Sequence, residues 1–174
     1  RLNIDEEHHR REKEKELVRQ KEAYNQITSS LAAQYAILYY IDIETGSYIE
    51  VSSTESYKKL HVPATGDDFF SESRRTLKKN VHPEDQKEVL KLHYKDAMLK
   101  NLAKTGTFVT EFRIVAGGKL KHVRHTVLLA SDGKHIIVCM KNIDDEVKAK
   151  LELTKTRQKS VTYTQIAESL ASQY

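Results

Sequence analysis

Eight histidines, a single cysteine and two pairs of adjacent acids are the side chains of this 174-residue chain with most scope for chemistry. His8 and His9 are neighbours, so on a helix they project about 100° apart and cannot grip one metal as an i, i+4 pair does. His61 and His135 have no ligand companions at useful spacing. His82 reads as part of a helix-opening turn, and His93 as one more residue on an exposed or half-exposed helical face. Cys139, alone, excludes a disulfide scaffold and a Cys-rich zinc site and fits a reducing, cytoplasmic setting. Glu84 with Asp85 and Asp67 with Asp68 read as helix starts. No phosphate-binding glycine loop, nucleophile elbow or catalytic carboxylate pair is found. The expectation is therefore a binding module with no catalytic residues and no metal ligands.

His125 stands apart. Strand alternation puts it on one face with Val123, Val127 and Leu129, and Thr110 shares the apolar face of its own strand with Phe112 and Ile114. A polar group on an apolar face must find a partner, either in the protein or in a ligand. In the first case His125 is a core histidine. In the second, His125 and Thr110 are polar contacts of a small-ligand pocket lined by Phe112, Ile114, Val127 and Met140.

The elements that would position these residues follow from local pattern. Residues 36–53 form a hairpin around Glu44-Thr45-Gly46. Residues 54–80 read as short helical pieces broken by Pro63 and Gly66, with Phe69 and Phe70 as anchors. A helix opens at Pro83 and runs to about Leu102, burying Val89, Leu92 or Tyr94, Met98 and Leu102. Three strands follow, 107–115, 119–130 and 134–142, joined at Gly117-Gly118 and Asp132-Gly133. Five strands with helices on one face make an α+β domain over 35–143. On the other face of the sheet Val109, Val115, Ile137 and Cys139 are apolar for a solvated surface, which predicts packing against the first helix or a second chain.

Two helical rods flank this domain, 1–34 and 144–174. Residues 5–34 lack Gly and Pro, and Asp5 is the expected N-cap. Leu17, Tyr24 and Leu31 fall seven apart with Ile27 between them, a short coiled-coil seam. The rod would be about 45 Å long. Its charges balance, and the whole chain carries only +4, which argues against nucleic acid as a partner. No apolar run approaches the ~20 residues of a membrane span. The segment Tyr24-Asn-Gln-Ile-Thr-Ser-Ser-Leu-Ala-Ala-Gln-Tyr35 returns as Tyr163-Thr-Gln-Ile-Ala-Glu-Ser-Leu-Ala-Ser-Gln-Tyr174, with eight of twelve positions identical. Asn3-Ile-Asp-Glu-Glu7 returns at the same offset as Asn142-Ile-Asp-Asp-Glu146. The chain is thus expected to be a piece of a tandem array, holding one unit and parts of its neighbours.

The ordered set Val81-His82-Pro83-Glu84-Asp85, Glu111-Phe112-Arg113-Ile114, the two glycine hairpins and Asn142-Ile143-Asp144-Asp145-Glu146 resembles the PAS sensory fold over about 35–146. The resemblance implies a five-stranded antiparallel sheet that senses a small cue or a partner domain. It also implies that Asn142, Ile143, Asp144 and Glu146 form the junction through which the signal leaves. Asn142 stands where the family has its first Asp, and Asp144 where it has Thr. The photochemical flavin branch needs a reactive cysteine within 54–80, where there is none, so flavin is not expected. Haem on His93 is not expected either, since Lys91, Tyr94 and Lys95 offer no apolar nest. Tandem units of this kind imply a bacterial signalling protein with a downstream output domain, a diguanylate cyclase first and a histidine kinase next. They also imply adjacent PAS-like repeats and a homodimer formed through the linker helices or the outer sheet face. The alternative is a spacer and dimerisation module that senses nothing.

Overall fold

The computed structural model describes residues 2–58, 60 and 63–173; His61, and Tyr174 at the end of the second repeat, lie outside them. The chain opens with helix α1 (Leu2–Ala32). Strands β1 (Ile37–Asp42) and β2 (Tyr48–Ser53) follow, then the short helix α2 (Glu55–Lys58) and strand β3 (Thr65–Gly66). Helices α3 (Phe69–Asn80), α4 (Pro83–Leu92) and α5 (Lys95–Thr105) lead to strands β4 (Thr107–Ala116), β5 (Lys119–Leu129) and β6 (His135–Asn142). Helix α6 (Asp144–Ala171) closes the chain.

The strands form one antiparallel sheet in the order β3-β2-β1-β6-β5-β4. Its register matches the side-chain parity expected from the sequence. Ile37, Tyr39 and Ile41 of β1, Ile136, Val138 and Met140 of β6, Val123 and Val127 of β5, and Phe112 and Ile114 of β4 are all buried on one face. One residue of slip in any of these pairings would turn that whole set to the solvent. Helices α3, α4 and α5 cover this face through Phe69, Phe70, Leu77, Val89, Met98 and Leu102. Leu129, placed on the same face by parity, is exposed at the end of its strand.

Four expectations are corrected. The sheet has a sixth strand, the two-residue β3. Gly66 lies so close to the Tyr48 ring that a Cβ there would come within 2.6 Å of it; the glycine permits strand pairing where the sequence suggested only a helix breaker. Helix α1 begins at Leu2, so Asp5 is inside the helix and is not its cap. The helix expected from Pro83 to Leu102 is two helices. At the break, the Val89 carbonyl accepts from the His93 ring Nδ1 at 2.6 Å, while the His93 backbone N–H turns to Leu90 at 3.3 Å. A side chain has taken the place of the backbone donor, and the helix ends. Finally, of the two partners expected for the outer sheet face, the first helix and a second chain, α1 is not the one that covers it. Its residues 3–27 are all exposed, and Val109 and Val115 stay 52% and 43% exposed. Cys139 lies on that side but is buried, near Thr126 across the ladder.

Helix α4 is fixed to β4 by a charged clamp. Asp85, in the first turn of α4, accepts from the Arg113 backbone N–H (2.9 Å), Nε (3.0 Å) and Nη2 (2.6 Å), and Glu84 takes Nη2 as well (2.8 Å). His82 caps the same helix, its ring accepting from the Glu84 N–H. The Arg113 guanidinium holds the Asp85 carboxyl down to about 2, against an ordinary 3.8. Because the folded value is the lower one, this stabilisation is present above 3.8 and is lost as the pH falls toward 2. Asp85→Asn should cost about 1–3 kcal/mol at neutral pH. Urea midpoints measured across acid pH should show the gap to the natural sequence closing in that window; a gap that stays constant to pH 2 would refute the clamp.

Candidate functional site

Between the sheet and α3 lies a cavity of about 50 Å³, walled by Ile37, Tyr39, Phe69, Leu77, Ile114, Val138 and Met140. His93 and His125 are its most deeply buried polar walls, 1% and 4% exposed. Their Nε2 atoms face each other at 3.4 Å, with the rings 4.5 Å apart. The Phe112 ring packs against both.

The hydrogen bonds assign most of the protons. A carbonyl only accepts, so the His93 Nδ1 carries hydrogen and donates to Val89, and the neutral ring presents a bare Nε2 lone pair. A hydrogen bond between the rings then requires His125 Nε2 to donate. That leaves His125 Nδ1 as a buried acceptor with no partner. In the other tautomer the two Nε2 lone pairs confront each other. Either way one imidazole nitrogen lacks a partner within the protein. Thr110 Oγ1, directly across the β4–β5 ladder, is also buried without one.

Burial holds both rings neutral. It pushes His93 below the ordinary 6.5; the Val89 bond opposes this, and the Arg74 guanidinium, stacked 3.5 Å over the Tyr94 ring, adds to it. Burial pushes His125 well below 6.5, with His93 as the lesser cause.

Of the pocket residues expected from the sequence, Ile114, His125 and Met140 line the cavity. Phe112 is buried behind the histidine pair, Val127 is buried farther along β5, and Thr110 stands beside His125 outside the cavity wall. The cavity opens on the Ile114 side of His125, toward α3, and so excludes them. The expectation that His93 is exposed is overturned. A signal for it was present, since His93 follows the buried Val89 by one helical turn. The walls from β1 and α3 had no such signal, because tertiary packing alone brings those elements to the sheet centre.

The cavity is joined to the start of α6 by two adjacent strands. His125 pairs with Met140, and two residues along each strand Val123 pairs with Asn142. There the Asp144 carboxylate accepts from the His122 backbone N–H (2.7 Å), the His122 ring (3.1 Å) and the Asn142 amide (3.0 Å). Asn142 Oδ1 in return accepts from the Asp144 N–H at 2.8 Å. Burial alone would raise the Asp144 carboxyl; these donors outweigh it and hold it below the usual range. Two residues on, Glu146 meets Arg124 (2.8 Å) and Lys141 (3.4 Å), and Ile143 is buried. All four expected junction residues are thus brought together. The seam residues Leu17, Tyr24, Ile27 and Leu31 are brought to nothing in this chain and are more than half exposed.

No family model matches the chain, and no curated protein does. Solved structures similar to it include an RNA-binding light-oxygen-voltage receptor, at 16% identity and a TM-score of 0.45 over 74% of this chain and 33% of that one. Another is the PAS domain of Bordetella pertussis BvgS, at 14% and 0.41 over 78% of this chain and 98% of that one. A third is the sensor region of a sensor histidine kinase, at 15% and 0.37 over 65% and 41%. The chain thus spans about a third of the first protein and two fifths of the third. Likeness at this level adds nothing about ligand, partner or output. The five long strands with helices on one face, in the order described above, have the PAS-like architecture that the sequence resemblance implied.

Two imidazoles kept neutral by burial make stability depend on pH. Their folded values lie below 6.5, so the unfolded chain takes up protons first and stability falls as the pH drops below 6.5. Urea midpoints between pH 7.5 and 5 should therefore decline, and more shallowly for His125→Leu. An equal decline in both proteins would show that the pair is not the cause.

Proposed function

We propose that this chain is a sensory module of a bacterial signalling protein in the cytoplasm. A small cue enters the cavity beside His93 and His125, and α6 carries the change onward. The observation that supports this most directly is the unpartnered buried nitrogen of the histidine pair, two residues along β5 and β6 from the Val123–Asn142 pair beside Asp144. A buried polar group without a partner costs about 1–3 kcal/mol, which a ligand's hydrogen bond or coordination would recover. A change of that size at the sheet is enough to bias a two-state junction.

In this reading the exposed seams of α1 and α6 join a second copy of the chain and adjacent repeats of a tandem array. The helices α1 and α6 end at Ala32 and Ala171, which are equivalent positions of the sequence repeat. The output domain would be a diguanylate cyclase, or failing that a histidine kinase. Among the described residues no helix is long and apolar enough to cross a membrane. One observation favours a passive spacer instead: at about 50 Å³ the cavity has the volume of one or two waters.

Thermal shift against metal salts and small polar compounds separates the two readings. A sensor should gain melting temperature with concentration, and the same compound should change amide exchange at residues 143–147. Binding without that change would leave a receptor that does not transmit; no binding at all would favour the spacer. Independently, Asp144→Ala should speed exchange in the first turn of α6 and cost on the order of 1 kcal/mol in stability. An unaltered first turn would remove Asp144 from the junction.

A further inference from the structure

The cavity is too small for an organic molecule of several heavy atoms, yet two imidazole nitrogens face each other in its wall and Met140 is among its lining residues. Drug-sized ligands need about 300–1,000 Å³; this space suits an ion. The 3.4 Å between the two Nε2 atoms is close to the separation of two imidazoles bound at about 2.0–2.1 Å to one metal. The His93 Nδ1–H bond to the Val89 carbonyl is the outer contact that turns a ligating Nε2 inward and sets its tautomer. His125 Nδ1 has no such contact, and Thr110 Oγ1, on the residue paired with it across the ladder, is likewise buried without a partner. Met140, paired with His125 across the β5–β6 ladder, lines the same space.

We propose that His93 Nε2, His125 Nε2 and the Met140 thioether form a three-coordinate site for copper(I). The proposal rests on the sensory reading and names its cue. The donors choose the metal. All three are neutral, no carboxylate or thiolate lines the cavity, and the Arg74 guanidinium lies on the His93 side. A divalent ion would bring two uncompensated charges into this dry interior, and a monovalent one brings a single charge. A thioether with two imidazoles in a low-coordinate apolar site suits soft copper(I) over zinc or magnesium. Among the described residues no group of three or more His, Cys, Asp and Glu is arranged for a metal; the thioether completes this one. The sequence expectation of no metal site places His93 on an exposed or half-exposed helical face, which is one of its several grounds.

The test is an anaerobic titration of the whole chain with copper(I) against a chromogenic copper(I) chelator, with X-ray absorption of the complex. The expected result is one copper per chain with nitrogen and sulfur neighbours. His125→Leu should abolish binding. Met140→Leu, which conserves volume and so keeps the fold, should weaken it roughly tenfold or more. Cys139→Ser, on the opposite sheet face, should leave it unchanged. No stoichiometric binding, unaltered affinity in Met140→Leu, or loss of binding in Cys139→Ser would each overturn the site. If copper fails while another compound raises the melting temperature, the copper assignment falls and the sensory reading stands. If copper binds at these residues without altering exchange at 143–147, the site stands and the transmission reading falls.

Discussion

A buried imidazole must remain neutral and keep its hydrogen bonds, and the centre of this structure is arranged around that constraint. His93 meets it by taking the Val89 carbonyl from its own backbone, and the same bond ends α4. The helical layer therefore bends where the ring turns into the sheet. His125 meets it only in part, from the middle of an otherwise apolar strand face. The pair is held between the Phe112 ring and a cavity wall, where the apolar surroundings amplify the cost of any unpaired nitrogen.

The position of that unpaired nitrogen gives it consequences. Strands β5 and β6 carry both the cavity wall and the residues that anchor α6, and in the proposed reading a displacement at His125 or Met140 would reach Asn142 and Asp144 along this ladder. The anchor is polar and only half-buried. It combines the Asp144 carboxylate with His122 and Asn142, and Glu146 with Arg124 and Lys141. Such contacts exchange with water at small cost, whereas the core beneath them does not. In the proposed reading this polar anchor at the end of a rigid sheet would act as a hinge with two arrangements of similar energy. The shift of acid from position 142 to 144, relative to the PAS pattern, keeps a carboxylate at the hinge and lets the Asn142 side chain accept from the first helical N–H.

Among the described residues of the two rods only Ala32, at the end of α1, is buried. Their apolar residues lie on thin stripes that remain exposed from Leu17 to Leu31 and from Leu151 to Leu170. Helices of about thirty residues with few tertiary contacts draw their order from local propensity and from pairs such as Arg11–Glu7 and Arg19–Glu16. Exposed ion pairs of this kind are worth little individually, so a partner along the stripe would stabilise the rods far more than their own charges do.

Sequence alone determined whatever depends on period and local chemistry. The five hairpin-connected long strands were legible because alternation and the Gly46, Gly117–Gly118 and Gly133 turns are near-neighbour effects. The inward parity of His125 and the junction at Asn142–Glu146 were legible for the same reason. Only the tertiary structure decided the rest. It broke the helix at His93, because a ring nitrogen competing for a backbone carbonyl is favoured only once the ring is buried. It added β3, because Gly66 had first to meet Tyr48. It set the cavity toward Ile37, Tyr39 and α3 and away from Thr110 and Val127, because which part of an apolar face is left unfilled depends on how the covering helices pack. Local pattern tells which way a side chain points; long-range packing decides what it meets there.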